Sequence, residues 1–266
     1  MKSTINKVLN EISILRLLVF IFVLFSVLII LSIIFNINIE DNAFDLASYG
    51  LILFYFVYKF RNIGNNFKSE LISSCTLSNI KEILFVAITN IFLAFGVLIF
   101  ALLIGIDVPL DSTTNFINFF NMSGEIIVIV VLAPVVEELI FRGVFLRWLD
   151  SKFNIYVAII ITSVLFGVMH NFGGIISAII FGVSMSILYV TTNNLFVPIL
   201  AHMCNNFVCE FLIHFDYGNF LLSNDIILIL LCICIILSII LLFNYLIKNI
   251  KNIKYYLNTF QENGLE

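Results

Sequence analysis

The chain has 266 residues, 62% of them hydrophobic and only 11% charged, where a soluble domain carries roughly 45–50% apolar and about 25% charged residues. A water-soluble globule of this size cannot bury such an excess, which excludes disorder, a disulfide scaffold and a secreted soluble enzyme. The 17 acids outnumber the 13 basic residues, for a net charge of −4, and leave no basic surface to neutralise phosphates, so nucleic acid is not an expected partner.

Lys2 and Lys7 precede a first apolar run at 17–35. The run is longer than a signal-peptide core and lacks an A-x-A-like cleavage site, so it reads as a permanent span. Further apolar segments follow at 43–60, 83–106, 126–149, 155–170, 174–190, 195–213 and 226–247. Spans of roughly 20 residues cross a bilayer, and the expected fold is therefore an all-α, polytopic membrane bundle of about eight transmembrane helices. The 43–60 segment is the weakest, with Asp45 near one end and Lys59 at the other. A transmembrane barrel would alternate apolar and polar residues, which these segments do not. No repeat or Pro/Ser-rich linker divides the chain, so one integral membrane domain is expected over 1–266.

An even number of spans puts both termini on one side. All 13 basic residues then fall on that side, near the termini and the loops after the second, fourth and eighth spans. The opposite loops carry acids such as Asp107, Glu125 and Asp216. The positive-inside rule places both termini in the cytoplasm. The Ile/Asn/Lys/Phe-rich composition suits an AT-rich bacterial genome, hence a bacterial plasma membrane with lipid as the surrounding partner. Cys75, Cys204, Cys209, Cys232 and Cys234 include no Cys-x-x-Cys pair; they read as apolar filler rather than disulfides or a thiolate site. Gly174, Ala178, Gly182 and Ser186 place small residues at four-residue spacing in the sixth span, a stripe that favours close helix packing.

Some polar residues do not fit lipid. Glu137 and Glu138 lie in the run Val-Leu-Ala-Pro-Val-Val-Glu-Glu-Leu-Ile-Phe-Arg. An ionisable group at mid-span costs about 2.5–3.5 kcal/mol on insertion scales, and intramembrane acids default to function. Glu138 and Arg142 are four apart and can pair on one face; Glu137 points about 100° away and is left unpaired by that contact. A buried salt bridge fixing two helices would explain the pair but not the second glutamate. His170 ends the fifth span one turn after Phe166, and His202 and Asn206 share a face of the seventh. Asn205 points elsewhere, and His214 reads as a surface residue in an acidic segment. Counted from the cytoplasmic helix ends, Glu137, His170 and His202 lie at roughly 18, 24 and 12 Å, a scatter that tilt of about 20° only partly absorbs.

In order, Glu137-Glu138-x-x-x-Arg142, Phe166-x-x-x-His170 and His202-x-x-x-Asn206, with the Phe-Arg-Gly run at Phe141, Arg142 and Gly143, resemble the motifs of the CPBP intramembrane proteases. That family includes the Rce1-related type II CAAX prenyl endopeptidases and bacteriocin-immunity-like bacterial members. The motifs span residues 134–206. The resemblance implies an eight-helix, glutamate-dependent endopeptidase acting on a peptide or protein substrate. It implies Glu137 as general base for water and His170 as the residue that holds or polarises that water. His202 and Asn206 would stabilise the oxyanion, with Glu138 and Arg142 orienting the first glutamate. No cofactor is implied. Two histidines and a glutamate are also a ligand set that zinc can use, although no His-Glu-x-x-His element is present. The alternative is a non-catalytic membrane immunity or regulatory binding protein. A secondary transporter would show inverted repeats and interrupted helices in both halves, which are not evident here.

Overall fold

The structure, a computed structural model, describes residues 4–36, 42–61, 76–105, 126–170, 174–215 and 224–262. Within them the chain is all-α, with nine helices: α1 (Thr4–Glu11), α2 (Ile14–Phe35), α3 (Asn42–Phe60), α4 (Leu77–Leu103), α5 (residues 126–152), α6 (Ile155–Val168), α7 (Ile175–Thr192), α8 (Phe196–Phe215) and α9 (Asp225–Glu262). By length and composition α2, α3, α4, α7 and α9 are able to cross a membrane, and α6 and α8 are shorter apolar helices. Side chains such as Phe22, Ile33, Phe54, Leu103, Ile160 and Ile226 are largely exposed on the outside of the bundle. An outer surface this apolar suits hydrocarbon rather than water.

Two features were not expected from hydrophobicity. The first is α1, a single amphipathic stretch preceding the first long helix. Ile5 and Leu9 on it, and Ile12 just after it, are buried and join a core that also holds Phe56, Leu146, Tyr189 and Ile253. Eight residues are too few to register as a span. The second is the length of α9: its 38 residues extend about 57 Å, nearly twice a hydrocarbon core of about 30 Å. The apolar stretch runs to Ile247 and the helix continues unbroken beyond it through Lys248, Lys251 and Lys254.

Polar residues punctuate the bundle where helices turn. Asn154 caps α6 by accepting from the backbone N–H groups of Tyr156 and Val157. Asn193 ends α7 in the left-handed conformation, φ 47°, which Asn tolerates better than most residues, and Asn194 Oδ1 accepts from the Phe196 N–H at the start of α8. Inside the bundle, hydroxyls are satisfied by their own helices. Thr162, Ser163, Ser184 and Ser186 all donate to carbonyls four residues back, at 2.6–2.9 Å. A buried hydroxyl can be accommodated in this way without a partner on another helix.

Within the small-residue stripe the close packing is at Gly182, while a Cβ on Gly174 would meet nothing within 4 Å. Helices α6 and α7 lie along each other closely. A Cβ on Gly182 would sit 3.0 Å from the Cα of Ser163, so no larger residue fits without separating the two backbones. Gly167 is equally tight against Ile179 and the Ile175 carbonyl. This contact draws α7 against the end of α6 that carries Phe166 and His170.

Candidate active site

Helix α5 is not a regular α-helix. An α segment, Ala133–Glu138, lies between two π segments, Val128–Leu132 and Leu139–Leu146. Pro134 lacks the N–H that a regular helix needs at that point, and wide turns are one way a helix absorbs such a gap. They also rotate each following side chain away from the phase of an ideal helix. The two glutamates and Arg142 straddle the second boundary.

Arg142 is fully buried. Its Nη1 donates to Glu138 Oε1 and its Nη2 to the carbonyl of Gly182, each at 2.9 Å. The guanidinium carbon lies 5.0 Å from the centroid of the Phe166 ring, close enough for a cation–π contact. Glu138, also fully buried, shares Oε1 with His202 Nδ1 at 2.9 Å. A carboxylate only accepts, so Nδ1 carries the hydrogen. The chain Gly182–Arg142–Glu138–His202 thus links α7, α5 and α8. It leaves His202 Nε2 on the Glu137 side, 3.8 Å from Glu137 Oε2. The rings of Phe166 and Phe181 meet His202 edge-on, with centroids 5.8 and 4.9 Å away. Two aromatic walls and one carboxylate therefore fix the imidazole.

Glu137 stands outside the Glu138–Arg142 pair, as expected, and finds its partner on another helix. Tyr49 OH on α3 donates to Glu137 Oε1 at 3.2 Å, and the side chain stays 21% exposed while that of Glu138 is 0%. The scatter in depth expected from the helix ends is not seen. Glu137, Glu138 and His202 are adjacent, and Phe166 stacks near both His170, at 4.6 Å, and His202. His170 follows the end of α6, exposed, with Nδ1 2.9 Å from the Phe166 carbonyl. A carbonyl requires a donor, so Nδ1 holds the hydrogen and Nε2 presents its lone pair. Asn206 donates from Nδ2 to the carbonyl of Ile129, at 3.0 Å, tying α8 to the first π segment of α5. The side chain of His214 lies outside the described residues, as does Cys75; Cys204, Cys209, Cys232 and Cys234 are free thiols.

His170, His202 and Asn206 line one cavity of about 170 Å³, together with Phe166, Phe181 and Asn90. Asn205, read from the sequence as pointing elsewhere, lines it too and donates weakly to Asn206 Oδ1, at 3.4 Å. Glu137 is not among the lining residues; it approaches through His202. Tyr49 and Asn90 are the site-adjacent residues that the sequence did not reveal, because both come from helices without a motif. Among the described residues, no three His, Cys, Asp or Glu side chains are grouped to hold a metal ion. A larger cavity, about 380 Å³, is lined by Asn10, Arg147, Trp148 and Tyr189 and by none of the motif residues. There Arg147 donates to Asn10 and to Tyr189 OH, at 2.6 and 2.5 Å, a polar junction that ties α1 to α5 and α7.

Residues 119–208 match the model of the family described as Rce1-like, type II CAAX prenyl endopeptidase. Over 85 residues the chain is 38% identical to a Bacillus subtilis (strain 168) protein named "Putative membrane peptidase YdiL". That alignment takes in 31% of this chain and 35% of the relative, so the chain spans about a third of the curated relative it matches. No solved structure matches. The match covers α5 to most of α8, the helices that carry the Glu-Glu, Arg, Phe-His and His-Asn residues, and over residues 119–208 this chain is similar to the Rce1-like type II CAAX prenyl endopeptidase family.

Proposed function

We propose that this protein is an intramembrane endopeptidase that hydrolyses a peptide bond near the membrane surface, with Glu137 as general base. The observation that carries this reading is the pairing of His202 Nε2 with Glu137 Oε2, 3.8 Å apart, beside a cavity lined by His170, His202 and Asn206. Tyr49 occupies Oε1 of Glu137, which leaves Oε2 to take a proton from water. His170 Nε2 can hold that water through its lone pair. The water oxygen bonds to the scissile carbonyl carbon, and its proton passes to Glu137. Negative charge on the carbonyl oxygen then needs fixed donors. The second N–H of Asn206 Nδ2 is one; His202 Nε2 is the other when its imidazole is protonated. Collapse of the tetrahedral intermediate breaks the C–N bond, and Glu137 returns the proton to the leaving amine. Glu138 and Arg142 position His202 rather than touch the substrate.

In this reading α5, α6 and α8 join the five long apolar helices as spans, giving eight, with both termini in the cytoplasm by the distribution of Lys and Arg. In a bacterium the physiological role would be peptide processing or bacteriocin self-immunity, while the family name points to prenylated CAAX substrates. The test uses purified protein in liposomes and quenched fluorogenic peptides: farnesylated Cys-aliphatic-aliphatic-X peptides, their unprenylated forms and unrelated apolar peptides. Glu137→Gln keeps the shape and the Tyr49 contact, and is expected to lower turnover by about 10²–10⁴-fold, the usual contribution of a general base. Undiminished hydrolysis by that variant would overturn the mechanism. Absence of hydrolysis by the wild type, with any immunity phenotype kept in Glu137→Gln, would favour a binding protein instead.

A further inference from the structure

Asn90 lies on α4, outside the 119–208 segment, yet it lines the cavity shared by His170, His202 and Asn206. It is 3% exposed. Its Nδ2 donates to the Val86 carbonyl at 2.8 Å and reaches Ser184 Oγ at 3.5 Å. Ser184 spends its own hydrogen on the Ile180 carbonyl, at 2.9 Å, so toward Asn90 it can only accept. The amide orientation is thereby fixed: turning it over would set Oδ1 against the Val86 carbonyl, acceptor against acceptor. Oδ1 is left buried with no hydrogen-bond partner among the described residues.

A buried acceptor without a donor costs about 1–3 kcal/mol, and structures rarely keep one without use. The donors in the lining are turned to other acceptors: Asn205 Nδ2 to Asn206 Oδ1 and Cys209 Sγ, and His202 Nδ1 to Glu138. Ala94, Phe166, Ala178 and Phe181 are apolar, and the Ser177 hydroxyl is given to the Gly174 carbonyl at 2.9 Å. His170 presents a lone pair, as argued above. Beside that lone pair, the cavity holds a buried spare acceptor on Asn90 and a spare N–H on Asn206. A peptide group is the complement of that pair, with one N–H and one carbonyl. Resting on the endopeptidase reading and extending it, we infer that Asn90 is a substrate-binding residue whose Oδ1 accepts a hydrogen bond from a main-chain N–H of the substrate, within a few residues of the bond that Asn206 helps to polarise. The recognition is of backbone, so it serves any side-chain sequence the cavity admits.

The test takes the quenched peptide that the wild-type protein hydrolyses fastest in liposomes. It also takes ester analogues in which single N–H groups within three residues of the scissile bond, but not at it, are replaced by oxygen. One position is expected to lower kcat/KM by about tenfold in the wild type, the value of one such hydrogen bond, and mainly through KM. Asn90→Ala is expected to lower kcat/KM on the amide peptide by a similar factor and to lose nothing further with the ester. Losses that multiply instead would show that Asn90 acts elsewhere and overturn the inference. Should Asn90→Ala fail to reach the membrane, the scan on the unaltered protein still decides: no position sensitive by more than about twofold would overturn it. A wild-type protein that cleaves no peptide would refute the endopeptidase reading and this inference together, whereas cleavage with multiplying losses refutes this inference alone.

Discussion

Replacing Arg142 with methionine probes the buried chain most directly. Arg142→Met conserves length and apolar contact with Phe166, but removes both donors, to Glu138 Oε1 and to the Gly182 carbonyl, each at 2.9 Å. Glu138 would then be a carboxylate with no accessible surface and His202 as its single remaining donor. Breaking a buried pair by deleting one member costs about 3–5 kcal/mol, mostly because the survivor is stranded. That is a large share of the usual stability of about 5–15 kcal/mol. The double variant Arg142→Met/Glu138→Leu strands no charge. It loses only the His202 Nδ1 and Gly182 carbonyl contacts, at about 1–3 kcal/mol for unsatisfied polar groups, so it should be more stable than the single variant. Both should lose proteolysis: the double variant removes the carboxylate that orients His202, and the single variant removes the Arg142 donor that holds that carboxylate in place. Thermal or SDS-induced unfolding in micelles, followed by the fluorescence of the single tryptophan, Trp148, measures the order of stabilities. A double variant less stable than Arg142→Met, or a single variant within 1 kcal/mol of wild type, would refute the ion-pair account.

Three further substitutions follow from geometry. Tyr49→Phe deletes the hydrogen bond to Glu137 Oε1; turnover should fall by about three- to tenfold while stability changes by about 1 kcal/mol or less, and unchanged kinetics would remove Tyr49 from the site. Gly182→Ala places a Cβ against the backbone of Ser163, 3.0 Å away, and should destabilise by about 1–3 kcal/mol and reduce activity by shifting the carbonyl that Arg142 uses. Gly50→Ala, where a Cβ meets nothing within 4 Å, should be neutral or stabilising by up to about 1 kcal/mol; equal effects at the two glycines would contradict the packing described for α6 and α7.

What the sequence made legible and what it hid divide along a physical line. Long apolar helices announce themselves because transfer to lipid is a property of each segment alone. Pairs four residues apart, Glu138 with Arg142 and Phe166 with His170, were readable because one helix turn sets them side by side. The partner of Glu137 was not readable, since Tyr49 comes from 88 residues earlier and no local rule joins them. Nor were the π turns of α5, which flank the α segment that carries Glu137 and Glu138. Buried polar residues in spans divide in the same way, by donor and acceptor arithmetic. Thr89 and Asn90 are neighbours, each 3% exposed. The Thr89 hydroxyl returns to the Phe85 carbonyl at 2.8 Å, so its own helix satisfies it. Asn90 can return only its N–H to Val86; its carbonyl needs a donor, and mid-helix every backbone N–H is already taken. Asn6, which receives Tyr189 OH at 3.1 Å, and Asn206, which receives Asn205, have acceptors that are met from outside their own side chains' helical carbonyls. An asparagine within a span therefore demands a donor that the helix backbone cannot provide, as serine and threonine do not, and at Asn90 that demand is met by no described residue.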